Sequence, residues 1–139
     1  MPEQTQLPPD IVARILLGEA AGEGPEGMAF VRDVFVNRAR AQKKTLEQVA
    51  TAPYQFSAYD RPDLEQFVAK QPLMLRNLAN ELVAEALRPE FQPKYDASHY
   101  VTSDFYENRG TLKPSHWVNQ MEPAYRVGRH QALKPRPRR

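Results

Sequence analysis

The sequence contains no cysteine among its 139 residues. The chain therefore forms no disulfide, offers no thiolate to a metal ion and has no cysteine nucleophile. It also lacks an apolar run near the roughly 20 residues of a membrane span, and its opening residues, MPEQTQLPPD, lack the basic and apolar regions of a signal peptide. We therefore expect synthesis in the cytoplasm without a signal peptide, and no stable membrane insertion.

Charge is unevenly spread along the chain, although the formal net charge is only +2. Residues 94–139 carry nine Lys/Arg and four Asp/Glu, a balance of +5, whereas residues 1–93 carry ten and thirteen, a balance of −3. The basic excess ends in KPRPRR, which would suit any polyanion, but a solvated chain end is the simpler interpretation. We expect residues 1–10 to be an N-terminal extension, residues 11–131 one domain, and residues 132–139 a basic Pro-rich tail.

Helical spacing of apolar residues dominates the first two thirds of the chain. Asp10 is placed to cap a first helix, GEGPEG breaks it, and Pro25 suits the first turn of a second helix ending near Gln42. Apolar residues surround most of the axis of this second helix, which predicts burial on several sides. Asn37 and Arg38 at its far end are expected to satisfy backbone or carboxylate groups.

Later segments predict shorter elements. Thr45 and Gln48 have the spacing of a capping box, a short helix should end near Lys70, and Pro72 should open a longer helix. Beyond Pro89 no helical period is sustained; SHYVT and AYRVGRH suit short extended pieces and the segment between them a loop. The predicted fold is mainly α (α+β), with a small irregular β part that covers one side of the core and lines a groove for a polar, ring-shaped ligand.

One carboxylate in the first helix stands out. At about 100° per residue, Glu19 falls between Ile15 and Leu16, inside the apolar stripe. Bringing an unpaired carboxylate to an apolar surface costs several kcal/mol, and the usual response is a raised pKa that keeps the group protonated, as a general acid requires. The alternative is that the stripe ends before Glu19 and the side chain reaches water.

Five short motifs occur in an order that resembles the SleB-type cell wall hydrolases, the spore cortex-lytic enzymes and their relatives. They span about residues 11–131 and are GEAAGEG at 18–24, Asn37-Arg38, Gln55-Phe56-Ser57, Ser98-His99-Tyr100 and Val127-Gly128-Arg129-His130. The resemblance implies a lysozyme-like helical domain that cleaves peptidoglycan between N-acetylmuramic acid and N-acetylglucosamine. It also implies that Glu19 is the catalytic acid.

The chain departs from the family pattern at two places. Asp96 precedes the Ala-Ser-His segment where the family often has Gly, and Arg129 stands where the family has Asn. These differences bear on substrate preference more than on chemistry. A catalytic domain of this size without an export signal looks like a bacteriophage endolysin or a virion-borne lysin, so we expect a role in bacterial lysis.

Cleavage of a glycosidic bond needs a proton for the leaving oxygen and stabilisation of positive charge at the sugar carbon. A hydrolase uses a second carboxylate, whereas a lytic transglycosylase lets one Glu act as acid and then as base on the sugar's own 6-hydroxyl. Glu23 is one candidate second carboxylate, either tuning Glu19 or lying at the next helix N-terminus, and Asp60 is the other. Neither is convincing, so we favour transglycosylation.

Further substrate contacts are expected from the segment around the third motif. Gln55 and Ser57 would hydrogen-bond N-acetyl and hydroxyl groups, and Tyr59 would stack on a sugar ring. Phe56 would either stack on a sugar or pack in the core.

The C-terminal third supplies the remaining expected contacts. Tyr100 would hydrogen-bond the substrate, while His99 and His130 would contact substrate or hold the β part in place. We interpret His116 as a surface residue and Trp117 as a packing anchor.

Two functions of other classes were weighed. The three histidines and nearby acids would suit a zinc amidase or peptidase, but their spacing matches no compact ligand motif and HExxH is absent. A basic module that binds nucleic acid would need a basic face interleaved with aromatics, not a Pro-rich tail. We therefore expect a monomer that acts on peptidoglycan glycan strands without metal or cofactor and without nucleic acid.

Overall fold

The computed structural model describes residues 11–52, 56, 58 and 61–136, so the expected helix cap at Asp10 lies outside the described residues. The helices are α1 Ile11–Ala20, α2 Gly24–Gln42, α3 Leu46–Ala50, α4 Leu64–Lys70, α5 Leu73–Ala86 and α6 Ser103–Glu107. The strands are β1 His99–Thr102, β2 Met121–Val127 and β3 His130–Pro135, and three 3-10 turns cover Ala21–Glu23, Arg109–Thr111 and Trp117–Gln120. The mainly α (α+β) prediction is confirmed.

Helix α2 forms the centre of the core. Its buried apolar residues point in several directions around the axis, as its composition predicts, and include Met28, Phe30, Val31, Val34 and Phe35. Helices α1, α3 and α5 pack against it, and α1 also contacts α4 and α5. An apolar residue on almost any side of α2 therefore meets another helix or the sheet, which explains why the helix lacks a polar face of the usual width.

The junction between α1 and α2 follows the sequence closely. After one 3-10 turn, Gly24 adopts a φ of +76°, which residues with a Cβ rarely adopt. Pro25 then occupies the first turn of α2, where its missing N–H costs no helical hydrogen bond. The predicted break and restart are confirmed.

The shorter helices also begin where the sequence predicts. Thr45 accepts a hydrogen bond from the Gln48 backbone N–H at 3.1 Å, and the Gln48 side chain accepts one from the Thr45 N–H at 2.9 Å. These reciprocal bonds are the predicted capping box of α3. Helix α4 ends at Lys70 as expected, and α5 begins directly after Pro72.

The β part is one three-stranded antiparallel sheet with the order β1-β3-β2. Strands β2 and β3 form a hairpin in which Val127 pairs with His130 and Gly128 turns the chain at a φ of +56°. The prediction of AYRVGRH as one extended piece was therefore wrong. The positive φ at Gly128 allows a two-residue turn, so the segment contributes to two strands.

Residues 132–135 belong to the central strand and not to a tail. Ala132 and Leu133 are 0% exposed because β3 is flanked by a strand on each side and covered on both faces. The expected boundary after residue 131 is corrected: the folded domain reaches at least Pro135. Among the described residues, no helix combines the length and apolarity needed to cross a membrane.

Candidate active site

Glu19 lies in the last turn of α1, half-buried, where three parts of the chain meet. Its Oε2 accepts a hydrogen bond from the backbone N–H of Ala58 at 2.7 Å. Its Oε1 accepts one from the hydroxyl of Tyr100 on β1. The carboxylate is therefore oriented by groups that are 39 and 81 residues away in sequence.

Gly18 allows the Ala58 segment to approach α1. A Cβ at position 18 would lie 2.6 Å from the Cβ of Ala58 and 3.0 Å from Cδ1 of Leu64. The first of these distances is shorter than side chains tolerate, so a larger residue would push the segment away. The glycine before Glu19 thus brings the Ala58 N–H within hydrogen-bonding distance of the carboxylate.

Tyr100 is a persistent hydrogen-bond donor in this arrangement. Burial raises the pKa of its hydroxyl well above the usual value, and the nearby negative charge of Glu19 raises it further. The ring packs edge-on against Phe30 at 5.8 Å between centroids and against His130 at 4.7 Å. Packing therefore fixes the ring, and the high pKa keeps its proton on the oxygen that faces Glu19.

Arg38 brings a buried positive charge to the same region. Its Nε donates to the carbonyl of Ser98 at 2.7 Å, and its guanidinium lies 4.9 Å from the ring centre of Phe56. Burial lowers the pKa of Arg38, whereas the nearby Tyr100 hydroxyl and Glu19 carboxylate act in the opposite direction. The predicted role of Arg38 in satisfying a neighbouring backbone group is confirmed.

The polar residues of α2 also hold the segment that leads into β1. Asn37 Nδ2 donates to the carbonyls of Tyr95 and Ala97 at 2.8 and 2.9 Å, as expected for a residue satisfying the backbone. Asp33, fully buried, accepts from the N–H groups of Lys94 and Tyr95 at 3.0 and 3.1 Å. Through these bonds α2 sets the position from which β1 starts, and hence the position of the Tyr100 hydroxyl.

Asp33 also bonds to Nε of Arg32 at 3.0 Å, and both side chains are almost completely buried. Burial raises the pKa of Asp33, although Arg32 and the backbone N–H groups act against this. Asp33 was not among the residues predicted from the sequence to be important. The signal was available, because a carboxylate lies inside the helix with the most apolar surroundings.

Glu23 is bound by the turn between β2 and β3. Its Oε1 accepts from the backbone N–H of Arg129 at 2.9 Å, and its Oε2 accepts from Arg129 Nε at 2.8 Å. Glu23 occupies the N-cap position of α2 but makes no side-chain capping bond there. A Cβ on Gly27 or Gly128 would lie 2.3 or 2.7 Å from atoms of Glu23, so both glycines leave room for this carboxylate.

The contacts with Arg129 determine the charge state of Glu23. Burial raises the pKa of Glu23, but the hydrogen bonds from the Arg129 backbone and guanidinium outweigh burial and bring the pKa below its usual value. The carboxylate therefore stays charged and tied to the hairpin. Its expected contact with substrate stays a prediction.

His130 is packed beneath the site. Its ring is 5% exposed and stacks on Phe30 at 5.9 Å between centroids. Burial lowers the pKa of His130, with Glu23 and Glu19 acting in the opposite direction. Among the described residues its Nδ1 has no hydrogen-bond partner. Contact with substrate and a role in holding the β part in place both stay predictions for His130. Its burial favours the second role, in which the ring holds the sheet against α2.

His99 points to the other face of β1, because successive side chains in a strand alternate. Its Nδ1 is 2.8 Å from Oγ of Ser98. Burial and the positive charge of Arg38 lower the pKa of His99 to about 4. The ring lies beside Trp117, with centroids 5.5 Å apart.

The structure corrects the interpretation of Trp117. Its side chain is 43% exposed, so it does not anchor the core. His116 is half-buried, and its Nδ1 accepts from the Val118 N–H at 3.2 Å, which caps the following 3-10 turn.

The third motif is only partly described. Phe56 is 3% exposed and packs against Phe35 with ring centroids 4.6 Å apart. A ring buried to this extent has no open face for a sugar, so Phe56 belongs to the core beside Arg38 and not to a stacking surface. Gln55, Ser57, Tyr59 and Asp60 lie outside the described residues.

Comparison with known proteins places the chain in a family. The sequence profile of the Cell Wall Hydrolase family matches residues 22–131, so the chain belongs to this family. Glu19 lies just before the matched region.

One curated relative is the cell wall hydrolase CwlJ of Bacillus subtilis (strain 168). The two chains are 40% identical over 55 residues, which cover 35% of this chain and 39% of CwlJ. The match thus spans well under two thirds of that relative. No solved structure matches, so the lysozyme-like fold implied by the sequence stays a prediction.

Proposed function

We propose that the protein cleaves the glycan strand of peptidoglycan between N-acetylmuramic acid and N-acetylglucosamine, with Glu19 as general acid and then base. Membership of the Cell Wall Hydrolase family supports the class of polymer. The observation that carries the proposal is the orientation of Glu19 by Ala58 and Tyr100 at the end of α1. Glu19 also keeps partial access to solvent, which a group that contacts a substrate requires.

The groups around Glu19 match the charge that it carries after proton transfer. When Glu19 protonates the leaving oxygen of the glycosidic bond it becomes a carboxylate. The Ala58 N–H, the Tyr100 hydroxyl and the positive charge of Arg38 all stabilise that charged product.

The second step is proposed to follow the transglycosylase route. A hydrolase would need another carboxylate to hold water or form a covalent intermediate. Glu23, the nearest candidate in sequence, has a side chain that is 10% exposed and is held by the backbone N–H and the guanidinium of Arg129. The burial of Glu23 and its ion pair with Arg129 favour a mechanism in which Glu19 alone, now a base, removes the proton of the muramic acid 6-hydroxyl as it closes the anhydro ring.

Mass analysis of digested peptidoglycan tests the proposal. We expect muropeptides that end in 1,6-anhydro rings. Products with reducing ends would show that the glycan strand is cleaved by hydrolysis and not by transglycosylation. Release of stem peptides with intact glycan would contradict the proposal and favour the amidase or peptidase alternative.

The contacts of the three histidines do not favour the zinc alternative. His99 is bonded to Ser98, His116 caps a 3-10 turn, and His130 is packed on Phe30. Within the described ranges, no group of three or more His, Cys, Asp and Glu side chains is arranged to hold a metal ion.

Bacterial lysis by a phage lysin is part of the same proposal. It is tested by adding the purified protein to cells with an opened outer envelope and following turbidity. Clearing supports the lytic role, and its absence under conditions where isolated peptidoglycan is cleaved contradicts it.

A further inference from the structure

Four aromatic rings contact one another in turn, ending at His99 on the side of β1 that faces away from Tyr100. In order they are Phe105, His116, Trp117 and His99, with centroid separations of 6.1, 5.9 and 5.5 Å. The planes of His116 and Trp117 are 28° apart, so these two rings are stacked. We call these four residues the aromatic strip.

The two largest rings of the aromatic strip are held in exposed positions by buried neighbours. Phe105 is 42% and Trp117 43% exposed, whereas the residues that follow them, Tyr106 and Val118, are 8% and 0% exposed. Tyr106 and Val118 belong to a small cluster with Met121 and Leu133 under this face of the sheet. The buried neighbours hold Phe105 and Trp117 in place, while the two rings themselves form an exposed apolar surface. Packing of the core does not require such a surface.

Polar side chains surround one end of the aromatic strip. A cavity of about 330 Å³ beside Phe105 is lined by Thr102, Asp104, Asn108, Thr111 and Leu112. This volume falls within the range of small-ligand sites. Hydroxyl, amide and carboxylate groups beside an exposed ring match a sugar, which has an apolar C–H face and a rim of hydroxyls.

We propose that the aromatic strip binds sugar rings of a glycan strand at a surface outside the cleavage site. The inference rests on the proposed function for the identity of the polymer. Strand β1 links the two sites: Tyr100 orients Glu19 on one face, and His99, one residue earlier, ends the aromatic strip on the other. An edge strand suits this arrangement, since a long polymer can contact both of its faces.

The single tryptophan of the chain provides a direct probe, because it lies in the aromatic strip. Fluorescence of Trp117 is titrated with a soluble oligomer of N-acetylglucosamine, in the wild type and in Glu19→Gln, which is expected to be inactive. We expect a saturable change in emission in both proteins. Phe105→Ala should weaken the apparent affinity about 3- to 10-fold, the typical effect of losing one stacked ring.

A matched control removes an exposed apolar side chain elsewhere. Met74 on α5 is 79% exposed, and Met74→Ala should leave the titration unchanged. A second measurement does not depend on the probe: co-sedimentation with purified peptidoglycan should fall in Trp117→Ala and largely recover in Trp117→Phe. Circular dichroism confirms that each variant is folded.

Unchanged emission with the oligomer, together with unchanged co-sedimentation of Phe105→Ala and Trp117→Ala, would overturn the inference. Emission that responds to free stem peptides but not to sugars would overturn it as well. The titration is also independent of the cleavage proposal. If Glu19→Gln still cleaved peptidoglycan, the role of Glu19 would fail while the titration would still decide whether the aromatic strip binds sugar.

Discussion

Glu19 on α1 and Asp33 on α2 both lie among apolar side chains, yet their surroundings differ in one respect. Asp33 is fully buried and accepts from Arg32, Lys94 and Tyr95. Glu19 is half-buried at a helix end. The two residues show that a carboxylate in the apolar face of a helix can be expected to have fixed hydrogen-bond partners. Whether the group also reacts depends on its access to a ligand.

The largest expected effect is on stability, from Asp33→Ala. The substitution leaves the Arg32 guanidinium and two backbone N–H groups without this acceptor in the core, which typically costs about 3–5 kcal/mol. Urea denaturation measures the loss. Glu65→Ala is the control, because the Glu65 side chain in the ion pair with Arg14 is 67% exposed and such pairs contribute little. Equal midpoints for the two variants would contradict the structural role of Asp33.

The next effect is the dependence of stability on pH through His99. Its folded pKa of about 4 lies below its ordinary value of 6.5, so the unfolded chain takes up a proton first as the pH falls. The part of the free energy of unfolding that depends on neutral His99 is therefore complete above pH 6.5. It is lost on acidification toward about pH 4, which lowers the free energy of unfolding by about 2–3 kcal/mol.

Urea midpoints measured across this range should fall more steeply in the wild type than in His99→Gln. Parallel curves would show that His99 titrates alike in the folded and unfolded chain.

Tyr100→Phe tests the surroundings of Glu19, the second carboxylate of the comparison. It removes one donor to Glu19 but keeps the ring that packs on Phe30. Because a hydrogen bond to a charged group is typically worth about 1.5–3 kcal/mol, kcat should fall about 10- to 100-fold with little change in KM or stability. Tyr106→Phe, in the separate cluster under the sheet, is the matched control. A rate within twofold of wild type would remove Tyr100 from the site.

The smallest effect is expected from Arg129→Ala. The Arg129 side chain is 77% exposed, so its ion pair with Glu23 should contribute at most about 1 kcal/mol. The backbone N–H of residue 129 still bonds to Glu23 in the variant. Because the folded pKa of Glu23 is lowered, this contribution is present above the ordinary pKa of a glutamate and lost in acid. A loss of stability as large as that of Asp33→Ala would contradict the expected order of these effects.

Local signals accounted for the helical part of the fold. The capping box at Thr45, the break at Gly24 and the apolar surroundings of α2 depend on neighbours in sequence, and each was predictable. The central strand was not predictable in this way. Ala132 and Leu133 precede a basic Pro-rich end, and only pairing with β1 and β2 explains their burial.

The candidate site shows the same division. The apolar stripe of α1 was sufficient to single out Glu19 as a candidate, but its orientation depends on Ala58 and Tyr100, which are distant in sequence. Trp117 was misinterpreted because composition favours burying a tryptophan, and the small cluster beneath it, which supports the ring without covering it, is formed only by the folded chain.

The most direct test of the account is the rate at which Glu19→Gln cleaves purified peptidoglycan, with folding checked by circular dichroism. Glutamine preserves the shape of the side chain but cannot deliver a proton to the leaving oxygen. If Glu19 is the general acid, the rate should be at least about 100-fold below wild type, since general acid catalysis typically contributes 10²- to 10⁴-fold. A folded variant that retains a rate within about tenfold of wild type would contradict the assignment of Glu19 as the acid.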